Sequence, residues 1–299
     1  MLSAKLRVAV LRGGPSSEYE ISLKTGAHVL SLLREMPEKY EPIDIFISKG
    51  GEWHLSGLVE EPHQALRQIN VVWNALHGTY GADGQVQKIL EKMKMPFTGS
   101  GSFSSALAIN KELTKELFVR NSILVPRHEL LTEDDFNDDK LIYILRTYLQ
   151  PVIVKPSCGS GGIGVALAHG FHELKEKIKN AFRHSSKVIV EEHIKGTEAV
   201  CAVVENARGE KIYALIPEAP LNIEKKKEIE KISKLTHSLL GLRHYSSSDF
   251  IVTPKGRIYL LGTNSHPKFY QDSHLHRSLH AVGWQPRDFV NHILSLHNH

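Results

Sequence analysis

Val152-Ile153-Val154-Lys155-Pro156-Ser157-Cys158-Gly159-Ser160-Gly161-Gly162-Ile163-Gly164-Val165 carries the most structural information in the chain. An apolar β-branched run ends in Lys155, crosses a flexible loop with glycines at 159, 161, 162 and 164, and returns around Ile163 to a second apolar run. Two strands joined in this way carry a loop whose backbone N–H groups can close on an anion, with a lysine beside it. The P-loop differs: its Gly-x-x-x-x-Gly-Lys-Ser/Thr opens a helix, and no such string occurs in the chain. Taken alone, the stretch also reads as a plain hairpin turn.

A second segment tilts the reading towards phosphate chemistry. Ser246-Ser247-Ser248-Asp249-Phe250-Ile251-Val252 is followed by Gly256-Arg257-Ile258-Tyr259-Leu260-Leu261-Gly262-Thr263-Asn264. Apolar alternation on either side of Thr253-Pro254-Lys255-Gly256 reads as a β-hairpin. Asp249 and Asn264 then lie at one end of it. Hard oxygen ligands placed so suit magnesium, which keeps several waters and shares its remaining positions with phosphates.

Outward from these segments, the early chain alternates strand and helix. Strands are expected at 7–11, 43–47 and 71–76, with helices at about 17–33 and 86–93, the pattern of a parallel sheet covered by helices. Gly13-Gly14 follows the first strand, and Ser16 or Ser17 is a candidate N-cap that aims a helix N-terminus at a ligand. A helix over about 103–119 opens a new unit, which contains the Lys155 loop and a helix at 174–182 and should act as a lid. From Val188-Ile189-Val190-Glu191 onward a third unit is expected. It holds antiparallel strands, a helix at 227–239, the hairpin and a last helix near 286–296.

Composition sets the outer limits. At 299 residues the chain can bury large cores and should hold two or three domains. Hydrophobic content of 41% and charged content of 23% describe an ordinary globular protein. The net charge is only +4, and Glu224-Lys225-Lys226-Lys227-Glu228 is mixed in sign, so neither favours nucleic acid. Two cysteines, Cys158 and Cys201, make no disulfide framework and suit a reducing cytoplasm. Cys158, within the loop, is a passive small residue or a reactive thiol. Apolar runs fall short of a membrane span and the first residues lack a signal-peptide core, so a cytoplasmic location with no membrane partner is expected. His276 and His280 fall four apart on an expected helix, but no third ligand completes a zinc site.

With these residues in view, the chain resembles the ATP-grasp enzymes, and among them the D-alanine–D-alanine ligase family. Gly13-Gly14-Pro15-Ser16-Ser17-Glu18-Tyr19-Glu20-Ile21-Ser22 matches the family's first string, and Ala75-Leu76-His77-Gly78-Thr79-Tyr80-Gly81-Ala82-Asp83-Gly84 its second. Pro96-Phe97-Thr98-Gly99-Ser100-Gly101 and Ser105-Ala106-Leu107-Ala108-Ile109-Asn110-Lys111 match the entry to the central domain. The resemblance implies an α/β ATP-grasp fold with an N-terminal parallel-sheet, Rossmann-like domain at 1–102, a central lid at 103–186 and a metal-bearing domain at 187–299. It implies ATP, Mg2+ and D-alanine, for a ligase that makes a peptidoglycan precursor, and it leaves a homodimer open. ATP would phosphorylate one D-alanine carboxylate, and the amine of a second would attack the acyl phosphate. Lys111 and Lys155 would hold phosphates, Glu191 and Glu198 adenosine, and Asp249 and Asn264 the metal. Glu18 would receive the first substrate's ammonium group, with His77 near its carboxylate.

The chain departs from the family pattern where the chemistry would happen. Gly161 replaces a catalytic serine, and Ser247 an arginine expected to stabilise the tetrahedral intermediate. Gly262 replaces the glutamate that bridges both magnesium ions. Lys268 replaces a glycine of the second substrate's pocket, where it would crowd the space and add charge. Ile216-Pro217-Glu218-Ala219-Pro220-Leu221 is short where the family inserts a closing loop. Each lost preorganised charge or donor costs about 2.7–4 kcal/mol of transition-state stabilisation. Three readings follow: a weakened or altered ligase, a nucleotide-binding pseudoenzyme that regulates or scaffolds, and an interaction protein that binds no nucleotide.

Overall fold

The protein is described by a computed structural model over residues 5–297. Its strands form three sheets. The first contains β1 (Leu6–Gly13), α1 (Tyr19–Arg34), β2 (Tyr40–Ile47), β3 (Trp53–Leu55), β4 (Leu58–Glu60), α2 (Pro62–Ala65), β5 (Val71–Asn74) and α3 (Gln85–Lys92). β1 lies between β2 and β5 and runs parallel to both, while the β3–β4 hairpin extends the β2 side antiparallel. Val8, Ala9, Val10 and Leu11 are wholly buried, so this strand is apolar on both faces, as a covered parallel sheet requires. The expected parallel sheet is therefore the centre of a mixed one. Neither serine caps α1 directly. Glu18 is the N-cap, and Ser16 Oγ accepts from the Glu18 N–H at 3.0 Å.

The second group contains α4 (Ser102–Ile109), α5 (Lys111–Arg120), β6 (His128–Leu131), α6 (Asp138–Thr147), β7 (Val152–Pro156), β8 (Ala166–Ala168), α7 (Phe171–Phe182) and β9 (Val188–Glu192). Its sheet is antiparallel in the order β6-β9-β7-β8. Two sequence expectations change here. The strand β9, expected to open the third unit, pairs inside the central sheet, because Val188 and Val190 complete a core with Val152, Val154, Leu174 and Ile178. The single helix expected over 103–119 breaks at Asn110. That residue is extended, and its side chain accepts from the Leu113 N–H at 3.2 Å to start α5.

The third group contains β10 (Thr197–Ala207), β11 (Glu210–Ala214), α8 (Ile223–Leu239), β12 (Tyr245–Val252), β13 (Ile258–Asn264), α9 (His274–Ala281) and α10 (Pro286–Ser295). Its strands are antiparallel in the order β11-β10-β12-β13. Ala108 of α4 and Phe118 of α5 pack into its core with Ala199, Phe250 and Leu260. On its other side Tyr245, Phe269, Phe289 and Ile293 share one core with Val10, Leu33 and Trp73 of the first sheet. Phe269 and Phe289 meet at 5.0 Å between ring centres. No helix among the described residues is long and apolar enough to cross a membrane.

Candidate active site

Between the central and third sheets lies a cleft of about 560 Å³. The strand period of two explains its lining. Val152 and Val154 face the central core, so Ile153 and Lys155 face the cleft, and Glu191 joins them because it is in register with Ile153. Lys155 Nζ donates to Glu191 Oε1 at 2.6 Å, and Lys115 Nζ lies 2.8 Å from Oε2. All three residues are buried. Burial opposes the Glu191 charge, yet Lys155 and Lys115 together hold its carboxyl below the usual carboxylate range. Burial likewise lowers the Lys115 ammonium.

Lys111 enters from the first position of α5. Its N–H donates to the Ser157 carbonyl at 2.8 Å and its Nζ to the Gly159 carbonyl at 2.5 Å, so the helix start is tied to the glycine loop. Burial, then the neighbouring Lys155, brings its pKa down to about 8. The loop takes left-handed backbone at Gly161 and Gly162, with φ of +68° and +73°, which a side chain would strain.

The β12–β13 hairpin closes the opposite wall. Asp249 stands across from Gly262 and Asn264 across from Ser247, with a bulge after Asp249. The period of two puts all four on the same face. Asp249, Gly262 and Asn264 line the cleft, and Glu198 joins them from β10. Asp249 is exposed to the cleft, yet the protein packed around it withholds enough water to raise its carboxyl above the usual range, and Glu198 adds to the rise while His274 and Lys268 oppose it. Asn264 Oδ1 accepts from the His266 N–H at 2.8 Å. A Cβ on Gly262 would meet nothing within 4 Å, so the place of the missing glutamate is open. Among the described residues no three His, Cys, Asp or Glu side chains converge for a metal. Asp249 and Asn264 could offer hard oxygens to one magnesium completed by water and phosphate, and the set would be too small for a second.

Glu18 and His77 do not line this cleft. They sit on the first sheet's side, Glu18 directly against Ser160 and Gly161. Glu18 is 5% exposed, accepts from Ser160 Oγ, and faces Lys268 Nζ at 3.3 Å. His77 Nε2 lies 2.8 Å from Thr25 Oγ1, and its ring centre 5.2 Å from that of His266. Burial, then His266 and Lys268, pushes the His77 pKa far down, and burial brings His266 to about 4, so both rings are neutral. The short segment at 216–221 is pinned to α9, where Glu218 Oε2 meets Arg277 Nη2 at 2.9 Å and His274 Nδ1 at 2.8 Å.

The cleft thus brings together six of the residues marked from sequence: Lys111, Lys155, Glu191, Glu198, Asp249 and Asn264. It also shows partners that sequence reading missed. Lys115 follows Lys111 by four residues on α5, a helical spacing that places both on one side. That was its only signal. The pairing of Lys268 with Glu18 had none, since only tertiary structure joins them.

An antiparallel central sheet with a glycine loop over a lysine-lined cleft, facing a second antiparallel sheet, is the architecture of the ATP-grasp class. Residues 7–65 and 57–100 match the profile of the D-ala D-ala ligase N-terminus, and 117–215 and 210–295 that of its C-terminus. The chain belongs to the D-alanine–D-alanine ligase family. It is 33% identical to D-alanine–D-alanine ligase B of Chromobacterium violaceum over 93% of each chain. It is 26% identical to the vancomycin/teicoplanin A-type resistance protein VanA of Enterococcus faecium over 98% of each. Its fold matches the D-alanine–D-alanine ligase of Coxiella burnetii with a TM-score of 0.88 at 23% identity, covering 98% of this chain and 95% of that one.

Proposed function

We propose that the chain is an ATP-dependent carboxylate–amine ligase of weakened or altered activity, acting on small amino or related acids of the D-alanine type. The observation that carries this reading is the cleft itself. Lys111, Lys155 and the glycine loop face Asp249 and Asn264 across a space of about 560 Å³. Phosphoryl transfer needs charge neutralised along the triphosphate more than it needs covalent help, and these side chains supply it.

In the proposed reaction a carboxylate oxygen attacks the γ-phosphorus of ATP, and the bond to the β-phosphate oxygen breaks. This yields ADP and an acyl phosphate. The amine of a second substrate then attacks the acyl carbon, phosphate departs with the C–O bonding pair, and the amine loses a proton. Lys155 and Lys111 counter the phosphate charge. Glu198, which lines the cleft from β10, would take the ribose hydroxyls. Glu191, expected to contact adenosine, has both carboxylate oxygens beside lysines, so we assign it the positioning of Lys155. Magnesium, held by Asp249 and Asn264, would shield phosphate charge. The vacancies at Gly161, Ser247 and Gly262 support slow turnover, and a pseudoenzyme is the alternative they leave.

The reading is tested by calorimetric titration with a magnesium-free, non-hydrolysable ATP analogue. Lys155→Ala should weaken binding ten- to a hundredfold, corresponding to the loss of about 1.5–3 kcal/mol of charged hydrogen bonding. Unchanged affinity would remove the cleft as the nucleotide site. D-alanine-dependent ADP formation at a rate typical of a fully equipped ligase would show that the vacancies matter less than stated.

A further inference from the structure

We propose that Lys268 fills, from within the chain, the place a ligand's ammonium group would take on Glu18, so that the acid activated here carries no α-ammonium group. The inference rests on the ligase reading and narrows its substrate to 2-hydroxy or unsubstituted carboxylic acids. A carboxylate as buried as Glu18 must be paired and hydrogen-bonded within the molecule or by a ligand. Here the chain supplies both partners: the Ser160 hydroxyl donates to it, and Lys268 Nζ stands 3.3 Å from Oε1.

The surrounding backbone leaves little room for another group. A Cβ on Gly161 would come within 2.7 Å of Glu18 Oε1, and one on Gly78 within 3.2 Å of Oε2. The Lys268 side chain is 34% exposed, but its backbone is held. It sits between the buried residues Pro267 and Phe269, and Phe269 is locked at 0% exposure in the core shared by the first and third sheets. The backbone that aims the ammonium is therefore fixed. The nearby rings of His77 and His266 are neutral, so the Glu18–Lys268 pair leaves this corner with no net charge.

An amino acid arriving here finds no unpaired anion. Its ammonium group would have to displace Lys268, whereas an acid without that group leaves the pair intact. The experiment is calorimetric titration of D-alanine, D-lactate and propionate into the full chain loaded with magnesium and a non-hydrolysable ATP analogue. Wild type should bind D-lactate and propionate at least tenfold tighter than D-alanine. Lys268→Met should reverse the order by strengthening D-alanine tenfold or more, and Lys268→Gln serves if the methionine variant does not fold. Tighter binding of D-alanine by wild type, or an unchanged ratio in the variants, would overturn the inference. Analogue binding that survives such a result keeps the ligase reading. Failure of the analogue and all three acids to bind would sink both.

Discussion

Lys111 is the residue at which the cleft meets solution pH. Burial and Lys155 bring its pKa to about 8, while Cys158 and Glu191 pull the other way. Below that value it is an ammonium and attracts phosphate; above it the charge is lost. Affinity for the ATP analogue should therefore fall severalfold between pH 7 and pH 9, and Lys111→Arg should flatten the profile. A flat wild-type profile would count against a phosphate role for Lys111. Lys115 acts through Glu191 instead. Lys115→Met leaves Glu191 buried with a single lysine, and unfolding in urea should show a loss of about 3 kcal/mol, the lower end for breaking a buried pair. The cleft lysines and acids could be read from sequence because each lies in a short local string. The Lys115–Glu191 and Lys268–Glu18 pairs could not, because each joins elements that only the fold brings together.

Two elements set the working geometry, the glycine loop and the β12–β13 hairpin. Gly161 closes on Glu18, and a methyl group there would meet its carboxylate at 2.7 Å in a backbone with φ of +68°. Gly161→Ala should lift the loop and speed proteolysis within 158–164 severalfold. Gly262→Ala, on an open strand position, should leave cleavage unchanged, and equal effects of the two would refute the contact. On the hairpin, Gly262→Glu puts a carboxylate across from Asp249, so magnesium affinity in the presence of the ATP analogue should rise, as calorimetry would show. Rate should recover further only with Ser247→Arg added, since the charge of the tetrahedral intermediate otherwise has no cation. The hairpin was legible because apolar alternation and a Pro-Lys-Gly turn are local signals. The break at Asn110 was not, because the apolar pattern runs on through it, and the pull on the backbone comes from the distant Ser157, whose carbonyl accepts from the Lys111 N–H.

At the scale of the whole molecule, the central sheet has a core of its own, whereas the first and third sheets share one. Cooperativity should follow that division. Hydrogen exchange should show the amides of β7 and β9 opening at lower free energy than those of β1 and β10, and the ATP analogue, which on the proposed reading would touch both walls, should narrow the gap. Indistinguishable opening energies would argue for a single cooperative unit. The three sheets follow the changes of motif and periodicity along the chain. It misplaced β9 because an apolar strand does not name its partner; the side chains of Val152, Val154 and Leu174 do.

The core that Phe289 and Ile293 of α10 share with Val10, Leu33 and Trp73 has a consequence for synthesis. The first sheet to leave the ribosome is the last to be finished. Its apolar flank stays uncovered until the final helix emerges, and at 5–20 residues per second that wait is about 10–40 s. For that interval Trp73, buried in the completed molecule, belongs to a surface open to chaperones or to another nascent chain. Quality control during translation, more than the finished protein's stability, would then govern how much of it accumulates.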